Sequence, residues 1–140
     1  MSTIYNAMSD ENIVRLRITS LDRTPEEITT LVGLMCDRSW HIGDKRSKTV
    51  ISEITNGWIL NSGLPKSASL ETHIQELLER LTPHASKIQT LSHQASVELS
   101  IVVYASTPPA LNFDKTVIRL LSQLGASLDI DLYVTDNESS

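Results

Sequence analysis

At 140 residues, with 40% apolar and 21% charged side chains, the chain has the size and balance of one globular domain that buries its own core without a disulfide or metal staple. Seventeen acidic against twelve basic residues give a net charge of −5, which argues against a nucleic-acid partner, whose phosphates demand a basic footprint, and leaves room for a basic protein partner. Cys36 is the single cysteine, so no intramolecular disulfide forms. With no apolar leader in residues 1–11 and no 18-residue apolar run, the expectation is a cytoplasmic chain that does not engage a membrane.

Residues 1–11 and 136–140 are polar and unpatterned and read as tails on a single domain over 12–135. From Ile13 to Ser20, Val14, Leu16 and Ile18 alternate with Arg15, Arg17 and Thr19, the period of a strand with one wet face. Thr24-Pro25-Glu26-Glu27 then combines an N-cap, a proline at the first helical position and a glutamate that reaches back to the cap; Ile28, Leu31 and Val32 continue at helical spacing, and Gly33 suits the left-handed stop. Cys36 to Lys48 has no period and is expected to be a long loop. Thr49 to Thr55 and Trp58 to Ser62 are β-prone runs on either side of Asn56-Gly57, a pair suited to a type I′ hairpin turn.

Ser69 caps a helix whose apolar stripe is Leu70, Ile74, Leu77, Leu78 and Leu81 and which Pro83 ends; a short helix with Ala85, Ile88 and Leu91 inward follows. Val97, Leu99, Ile101 and Val103 alternate with Glu98, Ser100, Val102 and Tyr104 in a further strand. After Pro108-Pro109, Asn112 is the expected cap of a helix carrying Phe113, Val117, Leu120, Leu121 and Leu124 and stopped by Gly125. Leu128, Ile130, Leu132 and Val134 alternate with Asp129, Asp131 and Tyr133 in the last strand. The order β-α-β-β-α-(short α)-β-α-β predicts an α+β fold: a mixed, mainly antiparallel sheet of about five strands with helices on one face, a ferredoxin-like unit extended by the last helix and strand.

Thr24-Pro25-Glu26-Glu27-Ile28, Leu31-Val32-Gly33-Leu34, Ser39-Trp40 with Gly43-Asp44, Trp58-Ile59-Leu60, the helix from Leu70 to Leu81 and Leu128-Asp129-Ile130-Asp131-Leu132-Tyr133 together resemble, in order, the uncharacterised bacterial family filed as domain of unknown function 4279. The resemblance runs from about Ile13 to Val134 and implies a small bacterial cytoplasmic α+β domain. It brings no reaction, cofactor or catalytic residue to carry over. Met35-Cys36 stands where the family leads one to expect a proline soon after Gly33.

His41, His73, His84 and His93 never fall at i, i+4 and are not paired with cysteine at zinc-finger spacing, so no metal site is expected and each reads as a surface or partly buried polar side chain. There is no G-x-S-x-G, no GKS/T phosphate loop and no G-x-G-x-x-G, so neither catalytic residue nor cofactor is expected. An enzyme would need Cys36 activated by His41, without an orienting third group, or Asp129 and Asp131 driven apart in pKa although they share one strand face with Cβ atoms about 7 Å apart. Cys36 reads instead as a small packed residue, and the aspartates as a solvated pair.

Two surfaces remain. If the first and last strands lie close, Arg15, Arg17, Glu98, Tyr104, Asp129, Asp131 and Tyr133 share the wet face, either as a cross-strand charge ladder, the reading preferred from sequence, or as a protein-recognition surface. The loop with Arg38, Trp40, His41, Lys45, Arg46 and Lys48 either grips an anionic ligand or is solvated with Trp40 plugging the core, the latter being preferred. The expectation is a non-enzymatic binding module for a protein partner, a class that includes toxin-neutralising immunity proteins. The alternative is a small-ligand or regulatory domain with a pocket under the Arg38 to Lys48 loop.

Overall fold

The computed structural model describes residues 10–135, which form one five-stranded sheet with the helices on one side. The strands are β1 (Glu11–Ser20), β2 (Arg38–Trp40), β3 (Asn56–Asn61), β4 (Ser96–Ala105) and β5 (Ser127–Val134). The helices are α1 (Pro25–Val32), α2 (Leu70–Leu81), α3 (Ala85–Leu91) and α4 (Lys115–Leu124), with a 3₁₀ turn at Thr82–His84 joining α2 to α3. The sheet order is β2-β3-β1-β4-β5. Neighbours among its first four strands run antiparallel, the arrangement of a ferredoxin-like unit, and α4 carries the chain across to β5, which runs parallel to β4. No described helix is long and apolar enough to cross a membrane.

The alternation read from β1 and β4 decides the layering. Val14, Leu16 and Ile18 meet Val97, Leu99, Ile101 and Val103 on the helix side and join Ile28, Val32, Ile74, Leu77, Leu81, Ile88 and Leu124 in one continuous core. Trp58 also lies there, fully buried, its indole N–H donating to Thr29 Oγ1 at 3.0 Å. The first strand begins two residues before Ile13, since Glu11 already pairs with Tyr104.

The helix ends follow local chemistry. Glu27 N–H donates to Thr24 Oγ1 and Thr24 N–H to Glu27 Oε1, at 3.2 and 2.9 Å, completing the capping box, and Gly33 closes α1 at φ 84°. Thr24→Ala is therefore expected to destabilise the fold by about 0.5 to 2 kcal/mol, read by chemical denaturation. An unchanged midpoint would mean that the box contributes nothing to the folded state. Ser69 caps α2 as expected, but α4 starts later than Asn112 suggests: Asp114 is its cap and accepts from Val117 N–H. Asp and Asn are equally good caps, so the choice fell to the course of the preceding loop.

The segment between α1 and β3 departs from expectation. The supposed loop contains β2, whose three residues pair with Gly57 to Ile59. Asn56-Gly57 forms no hairpin turn; both residues lie inside β3. Thr49 to Thr55 is not a sheet strand either, for the chain folds back on itself from Asp44 to Glu53, with a bridge between Lys45 and Ser52. The buried Asn56 carboxamide accepts from Ile42 N–H at 3.0 Å and so anchors that excursion.

Candidate functional site

Side chains of alternate residues point away from the helices and make the open face of the sheet. Strand register arranges them in rows. Arg38, Ile59, Arg17, Glu98 and Ser127 form one row across β2, β3, β1, β4 and β5; Asn61, Arg15, Ser100 and Asp129 form the next. Ile13, Val102 and Asp131 follow, then Glu11, Tyr104 and Tyr133. All seven residues expected on the wet face are there, but β4 lies between β1 and β5, so the arginines and aspartates stand two strand spacings apart, about 10 Å.

That separation splits the face by charge. On the β2-β3-β1 side, Arg17 and Arg38 lie over the Trp40 indole at 5.8 and 5.4 Å from its centroid, and Arg15 stands beside them. Burial, and behind it the charges of Arg38 and Arg17, hold the Arg15 guanidinium below its ordinary pKa. On the β4-β5 side stand Glu98, Asp129 and Asp131, with Tyr104 and Tyr133 stacked at 5.1 Å and nearly parallel. Burial first, then the charge of Asp129, raises the Glu98 pKa; Arg17 opposes this and Asp131 adds to it.

The cross-strand charge ladder preferred from sequence is not formed. Among the described residues, no basic nitrogen comes within 4 Å of the Glu98, Asp129 or Asp131 carboxylates. Arg17 is opposite Glu98 in register, yet its guanidinium turns toward Trp40.

The loop cluster expected from sequence is likewise divided. Trp40 does not plug the core: it lies on the open face, packed on Gly57, where a Cβ would fall inside the indole. Ile59 beside it is buried although it points away from the helices, a consequence of the arginine and tryptophan cover. His41 turns to α1, with Nε2 2.9 Å from Glu26 Oε1 and Nδ1 3.8 Å from Asp44 Oδ2. Arg46 pairs with Glu53 at 3.3 Å, and Lys45 sits in the bridge to Ser52.

The clefts that the helices leave lie elsewhere. One of about 580 Å³ runs between α2 and the start of α4, lined by Ile74, Leu78, Phe113, Val117 and Leu120. Another of about 500 Å³ opens beside Asn12, Arg15, Ser62, Lys66 and His73. None of Arg38, Trp40, His41, Lys45 and Arg46 lines either.

Cys36 packs half-buried against the core while both ring nitrogens of His41 face carboxylates. His73 is not a surface residue: it is 1% exposed, its Nδ1 lies 2.7 Å from Ser62 Oγ, and burial pushes its pKa down against a smaller upward pull from the Pro65 backbone. Its position on the core side of an amphipathic helix, one residue before Ile74, was the available signal.

The hydrogen bond to Glu26, partly offset by desolvation, raises the His41 pKa, and the same bond lowers that of Glu26. The histidine's contribution is complete below its ordinary pKa and lost as pH rises through the raised value. The glutamate's is complete above its ordinary pKa and lost as pH falls through the depressed one. The α1–loop tie is thus strongest between those limits. In an NMR titration, Glu26→Gln should lower the His41 pKa measurably; an unmoved midpoint would mean the contact is not made in solution.

The family model described as Domain of unknown function (DUF4279) matches residues 10–135. No curated protein and no solved structure matches the chain significantly.

Proposed function

Because the chain belongs to the DUF4279 family, whose description assigns no reaction, we propose from its surface that it is a non-enzymatic binding module receiving a basic protein partner on the β4-β5 half of the open face. The observation that carries this reading is the cluster of Glu98, Asp129 and Asp131, which among the described residues has no basic nitrogen within 4 Å, beside the Tyr104–Tyr133 stack. Carboxylates set in this way steer a cationic surface during encounter, and rigid stacked tyrosines give it an apolar anchor with little rotamer entropy to lose. The arginine half of the same face repels a basic surface, so a partner is oriented as well as attracted. A toxin-neutralising, immunity-type protein fits this description, its target being an enzyme with a cationic active site, such as a nuclease.

The test is affinity capture from the native host followed by association kinetics with the captured protein. Asp129→Lys with Asp131→Lys should slow association about tenfold or more at low salt and far less at high salt, because these exposed charges act through a screened field. A partner whose association ignores both the reversal and the ionic strength would remove this face from consideration.

A further inference from the structure

β5 is an edge strand of unusual openness. Among the described residues it pairs only with β4, and of its eight residues all but Ile130 are exposed. Leu128, Leu132 and Val134 point to the helix side yet remain 39%, 41% and 45% exposed. A long edge strand is ordinarily protected by a proline, charged side chains, a bulge or its own shortness. The sequence Ser127 to Val134 contains no proline, its charges, Asp129 and Asp131, are both acidic and both on the open face, and its register with β4 is unbroken, whereas the opposite edge, β2, is only three residues long.

The direction of the free backbone groups follows from one bond. Thr135 N–H donates to the Ala105 carbonyl at 2.8 Å. Alternation along the strand therefore turns the N–H and C=O groups of Asp129, Asp131 and Tyr133 toward β4, and those of Leu128, Ile130, Leu132 and Val134 toward the open edge.

Charge selects the occupant. A two-fold copy of this chain would pair antiparallel. In the two registers that use nearly the whole strand, Asp129 then faces Asp131 of the copy, or Asp131 faces itself, which is destabilising. Residues 1–9 and 136–140 contain no lysine or arginine, so neither of these segments offers the complementary charge. We propose that β5 accepts an added strand from a partner protein, an extended segment in which lysine or arginine alternates with apolar residues. Its basic side chains lie along Asp129 and Asp131, its apolar ones cover Leu128, Leu132 and Val134, and its backbone satisfies the outward groups. The inference rests on the partner being basic, as argued above, and adds how that partner is held.

The experiment uses the full chain with a synthetic ten-residue peptide alternating lysine and valine, a glutamate–valine counterpart, and a lysine–glycine peptide of equal charge. The lysine–valine peptide should bind and protect the Ile130, Leu132 and Val134 amides from hydrogen exchange, at least about tenfold better than the other two. Asp129→Lys with Asp131→Lys should reverse the preference toward the glutamate–valine peptide. Leu132→Pro, whose lost N–H points outward rather than to β4 and which is tolerable at an edge, should weaken the lysine–valine peptide and abolish the protection of the remaining two amides, whereas Leu132→Ala, which removes the side chain alone, should leave that protection in place. Charge-dependent binding that leaves the β5 amides exchanging freely would overturn strand addition while leaving docking on the face intact. Equal binding of all three peptides would overturn it as well, and failure to capture any basic partner would remove the reading beneath it.

Discussion

Replacing Gly57 by valine is expected to dislodge Trp40 and loosen β2, at a cost of about 1 to 3 kcal/mol, the range for forcing extra atoms into a filled site. Gly57 lies in β3 opposite Trp40, and its missing side chain is the floor on which the indole rests. Since β2 is held by only three paired residues, one of them Trp40, the loss should spread to the whole strand. It should also free Arg17 and Arg38, which lie over the ring. Chemical denaturation, tryptophan fluorescence and hydrogen exchange of the Arg38–Trp40 amides give the readouts. The double variant with Trp40→Ala separates mechanisms: with the indole gone, valine has room, and the cost of the glycine change should largely vanish as a coupling energy between the two sites. If Gly57→Val costs the same with and without Trp40, the glycine is required for its backbone and the packing explanation fails.

Gly57 also shows where sequence reading stops. Asn-Gly is a turn signal because both residues tolerate positive φ, and that tolerance is local. Here the glycine serves a contact with a residue 17 positions earlier, and nothing near position 57 announces it. The short β2 is hidden for a related reason: three residues are too few to show a period, and its two outward residues are Arg38 and Trp40, which read as loop chemistry. By contrast, the Thr24–Glu27 box closes within four residues, and β1 and β4 carry three and four alternating pairs against one core, so both were legible. The wet-face residues were legible as a set, since parity alone assigns them. Their division into a cationic and an anionic half was not, because it depends on β4 lying between β1 and β5, and strand order is a non-local property.

Truncating Ile101 or Leu77 to alanine should produce the largest loss of stability among these variants, about 2 to 5 kcal/mol each, from lost transfer energy plus the cavity left behind. Both residues are fully buried. Ile101 lies on β4 opposite Val14, with β5 on its other side, so the sheet around it has little freedom to close a void. Leu77 sits on α2, which packs on β1, and a helix can shift toward a cavity more easily than a strand fixed on both sides by hydrogen bonds. The Ile101 variant should therefore sit toward the upper end of the range and the Leu77 variant toward the lower. Equilibrium denaturation of both, with unchanged slope to show that the transition remains two-state, is the measurement. A cost below about 1 kcal/mol for either would be incompatible with the single continuous core described for the helix side of the sheet.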